Sequence, residues 1–179
     1  AGYSGHGRTG LWTPDRVTIR DAGGNPLADR DFPLRSFDRP AKLVRWDALD
    51  MLCFAGYALW NYLGFPFVLA EPGVAVAEAP SILAPGGGRL VADFPSGFPT
   101  HSPRQVFHVD EVGLLRRHDY TADVIGRFAT AAHLCLAAEE ADGFRFYTRR
   151  RVVPRFGANL LLPGPTLVWI ALDDLKVES

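Results

Sequence analysis

The sequence predicts a mainly β fold, in which a curved antiparallel sheet forms a half-barrel or barrel wrapped around one apolar helix. Three observations lead to this class. The 179 residues include 18 Gly and 14 Pro, spread along the chain, and such frequent interruptions suit strands and turns. Short alternating segments recur between them, and one apolar run has the length of a helix. At 47% hydrophobic and 22% charged residues, the composition is that of a folded globular domain.

The chain begins with a polar, glycine-rich stretch. Residues 1–15 show no periodic apolar pattern, so we expect a flexible lead-in there and a single β-rich domain over residues 16–179. Apolar and polar residues alternate in Arg16–Arg20, and Ala22–Asn25 favours a tight turn. A partner strand is expected at 27–36, interrupted by Pro33.

The segment 46–63 is the one convincing helix, because its apolar run is longer than an ordinary strand. Asp47 and Asp50 fall in its first turns, where carboxylates complement the positive end of the helix dipole. Gly64 is expected as a left-handed cap and Pro66 as a stop. A helix that is apolar all round lies inside protein or in lipid. This one is shorter than the ~20 residues that span a bilayer, so we expect protein around it and no transmembrane segment.

The rest of the chain offers strand candidates separated by turns rich in Pro and Gly. They are 67–70, 74–78, 89–94, 105–110, 114–123, 128–138, 144–153 and 166–173. Without helical patterns between them, such strands favour a meandering antiparallel sheet. A sheet of this many strands tends to curl.

Charge and cysteine usage limit the partners. Lys plus Arg total 19 against 20 Asp plus Glu, a formal net charge of -1, so no overall field attracts nucleic acid or an anionic membrane. Cys53 and Cys135 each lie in an apolar run and are predicted to be buried free thiols. The opening residues are unlike a signal peptide, and the cytoplasm is slightly favoured as the compartment.

The densest polar stretch is 114–123. On a strand, His118 and Tyr120 share one face, while Arg117, Asp119 and Thr121 share the other. Two interpretations stay open: an ion-pair ladder with neighbouring strands, or a cavity in which such groups bind and transfer protons. His118, Asp119 and Tyr120 are therefore the candidate catalytic residues.

A second polar stretch, 144–153, places Arg149 and Arg151 on one strand face. This cationic stripe is a candidate ligand-binding group for a phosphate or carboxylate. The alternative is cross-strand pairing with acidic groups of the same chain. No spacing of His, Cys or acidic residues indicates a metal site, and no dinucleotide, phosphate-loop or nucleophile-elbow motif occurs. We therefore expect no metal and no cofactor.

Four sequence blocks resemble a family of uncharacterised bacterial proteins over about residues 30–155. They are WD…FAGYALWNY…PF at 46–67, PTHS…Q.F at 99–107, GLLRRHDY at 113–120 and TRRRV at 148–152. The resemblance implies no activity and no catalytic residues. Its overall pattern is similar to curved-sheet carriers of the lipoprotein-carrier or lipocalin-like kind, in architecture only.

Aromatic residues crowd the helix and its exit. Phe54, Tyr57, Trp60 and Phe67 predict an aromatic-lined cavity that binds a hydrophobic small molecule such as a lipid, unless they form a plain core. The alternative is a cofactor-independent enzyme, a cyclase or isomerase of natural-product biosynthesis, acting in that cavity. A third reading is an assembly module that pairs through an exposed sheet edge, with a homodimer as one form.

Overall fold

The computed structural model describes residues 7–43, 45–83, 85–157 and 159–177. It is mainly β, with 43% of residues in strands and 18% in helices, and its large antiparallel sheet curves into a half-barrel, which confirms the predicted fold class. The chain forms two compact units. The first unit contains the chain up to Phe65 together with residues 99–101 and 124–126. The second unit contains the remaining residues. The single domain expected over 16–179 stays a prediction.

The first unit begins with a three-stranded antiparallel meander. Its strands are β1 (Thr9–Trp12), β2 (Arg16–Arg20) and β3 (Pro26–Asp31). Strand β2 has the predicted bounds, and Gly24 in the turn after it adopts φ 84°. Strand β1 lies within 1–15, where no periodic apolar pattern predicts a strand. The predicted strand 27–36 is cut short, because Pro33 opens a 3-10 helix, Pro33–Asp38. A second 3-10 helix, Pro40–Leu43, follows it.

Two glycines explain how β1 packs on the helix of this unit. A Cβ on Gly10 would lie 2.7 Å from a Leu52 methyl carbon, and a Cβ on Gly56 would lie 2.2 Å from Trp12 Cγ. Real side chains essentially never approach so closely. The flexible end of Leu52 could move away from a Cβ on Gly10, whereas the rigid Trp12 ring makes glycine necessary at position 56. Strand β1 is therefore fixed by contacts with a distant segment rather than by its own pattern.

Helix α1 (Ala48–Gly64) confirms the predicted helix. It starts with a capping box: the Asp47 carboxylate accepts from Asp50 N at 2.9 Å, and the Asp50 carboxylate accepts from Asp47 N at 2.9 Å. The left-handed cap expected at Gly64 is wrong, because Gly64 is the last helical residue and Phe65 then adopts φ −71°. None of the helices in the described part of the chain is long and apolar enough to cross a membrane.

The second unit is built on the curved antiparallel sheet. Its strands are β4 (Ala75–Pro80), β5 (Gly88–Asp93), β6 (Arg104–Val109), β7 (Leu115–Thr121), β8 (Thr130–Ala141), β9 (Phe144–Phe156), β10 (Leu160–Leu161) and β11 (Val168–Ala171). The strand order is β10-β9-β8-β7-β6-β5-β4, and β11 also pairs with β9. The segment Phe67–Ala70, predicted as a strand, is a 3-10 helix, since four apolar residues do not by themselves distinguish the two.

The register of the central strands decides which side chains meet. Phe107, His118 and His133 are direct neighbours across β6, β7 and β8. One residue along, Arg89 of β5 faces His108 of β6, which faces Arg117 of β7. Side chains alternate along a strand, so these two rows lie on opposite faces of the sheet.

Candidate functional site

The three candidate catalytic residues are buried but do not share one face. His118 is 2% exposed, Asp119 5% and Tyr120 4%. His118 and Tyr120 lie 4.9 Å apart between ring centres, whereas Asp119 joins polar groups on the opposite face. The alternation predicted along β7 is thus present, and it separates the carboxylate from the other two residues.

On the first face, His118 belongs to a packed row of rings. It stacks on Phe107 with ring centres 4.2 Å apart and planes 9° apart. Gln105 Nε2 donates to Ser102 O at 2.9 Å, so Gln105 Oε1 is the atom that accepts from His118 Nε2 at 2.6 Å. These contacts fix the imidazole by stacking and by a hydrogen bond.

On the opposite face, Asp119 anchors a buried polar cluster. Arg117 donates to both carboxylate oxygens, at 2.6 Å through Nε and 2.7 Å through Nη2, and His108 Nε2 lies 3.0 Å from Oδ2. Burial raises the pKa of Asp119, but the hydrogen bonds from His108 and Arg117 and the charge of Arg117 outweigh burial and hold that pKa below its usual value. Asp119 is therefore a stable carboxylate that orients the His108 ring.

This cluster borders a pocket of about 280 Å³ in the second unit, which we call the arginine pocket. Its lining residues are Ile82, Arg89, Arg104, Val106, His108, Asp119, Tyr120, Thr121 and Arg155. Three of these are arginines, and Asp119 is the single carboxylate of the set. Arg155 Nε is 3.7 Å from Asp119 Oδ2, with its side chain 17% exposed. Arg104 Nη1 lies 3.6 Å from Asp93 Oδ2, and Asp93 is an exposed residue that does not line the pocket. The pocket wall thus carries an excess of positive charge beside apolar side chains.

The aromatic residues predicted to bind a ligand fall in both units. In the first unit, Tyr57 is 0% exposed, with ring centres 5.5 Å from Phe54 and 5.2 Å from His101. Trp60 is 36% exposed, and its ring centre is 6.2 Å from that of Trp12. Tyr57 thus lies in the core of that unit with Phe54 and His101 packed against it, whereas Trp60 packs on Trp12 at the surface.

His101 completes this aromatic core. A hydrogen bond of 2.7 Å joins its Nε2 to the hydroxyl of Tyr62. Burial lowers the pKa of His101 to about 3, so the ring is neutral at physiological pH. A neutral, enclosed imidazole of this kind stabilises packing.

The remaining predicted aromatic, Phe67, belongs to the second unit. It is 62% exposed and contacts Phe144 with ring centres 5.9 Å apart. It forms an exposed pair and does not line the arginine pocket.

Arg149 and Arg151, also predicted to bind a ligand, hold the C-terminal segment of the second unit. Arg149 donates to Leu172 O at 2.8 Å and to the Asp173 carboxylate at 2.7 Å. Arg151 donates to Thr166 Oγ1 at 2.9 Å and to Pro163 O at 2.6 Å. Their guanidinium groups therefore have partners within the second unit, and for Arg149 one of them is an acidic group of the same chain.

A second pocket, of about 390 Å³, lies in the first unit beside the start of α1. Two of its cations, Arg30 and Lys42, form ion pairs with Asp47 and with the fully buried Asp50. Asp47 and Asp50 also form the capping box, so these pairs stabilise the beginning of the helix.

The two cysteines are buried and free, as predicted. Burial raises the pKa of Cys53 to about 12 and that of Cys135 to about 11. Neither is a thiolate at neutral pH, and a thiol is a poor nucleophile. Within the described residues, no group of three or more His, Cys, Asp or Glu side chains could hold a metal ion.

Taken together, the curled half-barrel and the aromatic clusters define a fold compatible with binding a hydrophobic ligand. No protein family, curated protein or solved structure matches the chain. The resemblance of the four sequence blocks therefore stays a prediction.

The sequence reasoning missed Arg89, His108 and Arg155 as site residues. One signal was visible: Arg104, Val106 and His108 alternate along β6 and so share a face. Arg155 could not be joined to them without the sheet register.

Proposed function

We propose that this protein binds a small organic anion with an apolar body in the arginine pocket. The observation that carries the proposal is the charge of the wall, where Arg89, Arg104 and Arg155 line the same pocket as one carboxylate. That carboxylate, Asp119, is already bonded to Arg117 through both oxygens. A carboxylate or phosphate on the ligand would balance the remaining positive charge of the arginines and would accept charge-assisted hydrogen bonds from them.

The apolar part of the ligand is supported by Ile82 and Val106, which line the same pocket. A volume of about 280 Å³ is just below the roughly 300–1,000 Å³ of typical ligand pockets. A compact ring or short branched chain fits this space better than a long acyl chain. This proposal differs from the hydrophobic ligand predicted from the aromatic residues, because none of those aromatic residues lines the arginine pocket.

The test compares phenylacetate with its methyl ester by isothermal titration. The two compounds share the apolar body and differ in charge, so we expect saturable one-site binding of the acid and much weaker binding of the ester. Replacing Arg155 with Gln should weaken phenylacetate binding by about tenfold or more, since a hydrogen bond to a charged group contributes about 1.5–3 kcal/mol.

Arg145→Gln is the matched control. Arg145 lies on the same strand, β9, but pairs with Glu140 at the surface, with its side chain 47% exposed. Its replacement should leave binding unchanged. Equal affinity for acid and ester, or an equal loss in both variants, would contradict the proposal.

A second candidate is a cofactor-independent enzyme, and the favouring observation is the His108–Asp119 pair at the pocket wall. A carboxylate on Nε2 orients an imidazole so that Nδ1 can accept a proton from a bound carbon acid and return it to another atom of the same molecule. His118 lies on the other face of β7 and does not line the pocket, so this chemistry would use His108 in its place. In D₂O, the protein should accelerate deuterium exchange at the acidic carbon of phenylpyruvate, and His108→Leu should abolish that acceleration.

A further inference from the structure

Two neighbouring side chains of the arginine pocket carry buried polar atoms that have no hydrogen-bond partner in the described part of the chain. These atoms are Arg89 Nε and His108 Nδ1. Arg89 and His108 face each other directly across β5 and β6, and residues opposed in this way have Cβ atoms about 4.5–5.5 Å apart. Both residues line the pocket.

The two atoms have complementary hydrogen-bonding character. Arg89 Nε carries a hydrogen and can only donate. His108 Nε2 faces the Asp119 carboxylate at 3.0 Å. In the tautomer that hydrogen-bonds to this carboxylate, Nε2 carries the hydrogen and Nδ1 offers a lone pair. Buried polar groups are nearly always hydrogen-bonded. A hydroxyl group meets both needs, because it accepts one hydrogen bond and donates another.

The anion-binding part of the pocket lies beside this pair. Asp119 Oδ2 is 3.0 Å from His108 Nε2 and 3.7 Å from Arg155 Nε, so the side chains of His108 and Arg155 meet at one oxygen atom. A ligand hydroxyl at His108 and a ligand carboxylate at Arg155 would therefore be close together in the molecule. We therefore match both groups to one small ligand whose hydroxyl lies near its carboxylate.

From this we infer the ligand class: a hydroxycarboxylic acid with an apolar substituent. Arg89 Nε and His108 Nδ1 hold the hydroxyl, Arg155 and Arg104 hold the carboxylate, and the apolar wall holds the substituent. The inference rests on the proposed function, since it assumes that the pocket takes an organic anion, and it adds the group that distinguishes one acid from another.

The experiment uses three acids and the intact chain. Mandelate carries the hydroxyl, phenylacetate lacks it, and the O-methyl ether of mandelate keeps the oxygen but loses the hydrogen that His108 would accept. We expect mandelate to bind roughly tenfold or more tightly than phenylacetate. We expect the ether to lose that advantage.

Two variants locate the effect. Arg89→Met and His108→Leu should each weaken mandelate binding more than phenylacetate binding, so that the preference for mandelate falls to near unity. The comparison of ligands in the wild-type protein keeps the test valid if His108→Leu does not fold.

The outcomes separate the inference from the proposal beneath it. If mandelate and phenylacetate bind equally well, the hydroxyl site is refuted and the anion pocket stands. That result is expected if a water molecule bridges Arg89 Nε and His108 Nδ1 as well as a ligand hydroxyl does. If neither acid binds, both fail. A preference that survives in Arg89→Met and His108→Leu would also overturn the assignment.

Discussion

Removal of the Asp50 carboxylate should strongly destabilise the first unit. This side chain is 0% exposed and accepts hydrogen bonds from Ser36 Oγ at 2.6 Å, Arg30 Nη1 at 2.7 Å, Asp47 N at 2.9 Å and Lys42 Nζ. The change Asp50→Ala leaves two cations and two neutral donors without this partner. Breaking a buried ion pair costs about 3–5 kcal/mol. Since the side chains of Arg30 and Lys42 are 27% and 15% exposed and water can solvate them in part, we expect about 3 kcal/mol.

The assay is urea denaturation followed by tryptophan fluorescence. Trp12, Trp46 and Trp60 belong to the first unit, so the signal reports mainly on the unit that contains Asp50. Asp47→Ser is the matched control, because the Asp47 side chain is 48% exposed and Ser also caps a helix well. Exposed ion pairs contribute about 0–1 kcal/mol, so the control should lose less than about 1 kcal/mol.

A loss in Asp50→Ala no larger than that in Asp47→Ser would refute the reasoning. The buried cluster would then contribute no more to the first unit than a surface ion pair. A changed slope of the denaturation curve would show instead that the substitution alters how cooperatively the unit unfolds.

Three further predictions concern acid stability, packing and the C-terminal segment. Burial raises the pKa of Asp50, but hydrogen bonds outweigh burial and hold that pKa below 3.8. The stabilisation that the Asp50 carboxylate provides is therefore present above pH 3.8 and is lost as the pH falls through the folded-state pKa. When the unfolding midpoint is measured at decreasing pH, it should fall more steeply in the wild type than in Asp50→Ala. Gly56→Ala should cost about 1–3 kcal/mol by overpacking against Trp12, and an unchanged melting midpoint would contradict the close approach. Arg151→Met should speed hydrogen exchange in residues 163–173 without weakening phenylacetate binding, and mass spectrometry after deuterium labelling measures that exchange.

How far the sequence predicts the fold depends on where each element obtains its stability. Helix α1 and strand β2 carry their own patterns, an apolar run with acidic caps and a strict alternation, and both were predicted. Strand β1 has no such pattern, because its position depends on the contact of Trp12 with Gly56 across more than forty residues of chain. Periodicity cannot reveal a contact of that range.

The same distinction applies to the candidate site. The alternation along β7 was visible, so the faces of His118 and Asp119 were assigned correctly. The partners of each face come from other strands, and only the register shows that His108 meets Asp119 while Phe107 meets His118. A one-residue shift in that register would exchange the two sets.

The arginines of the second unit differ in whether the protein itself satisfies them. Arg149 and Arg151 were predicted to bind a ligand, yet their guanidinium groups donate to carbonyls, a hydroxyl and the Asp173 carboxylate. Arg89 and Arg155 line the arginine pocket, and each has a buried Nε without a hydrogen-bond partner among the described residues. Arg155 also donates from Nη1 to Gly157 O, and its Nε lies 3.7 Å from the Asp119 carboxylate. Buried donors are nearly always hydrogen-bonded. The two Nε atoms therefore give the second pair of arginines the stronger physical reason to bind a group from solution, although the sequence made the first pair the more conspicuous.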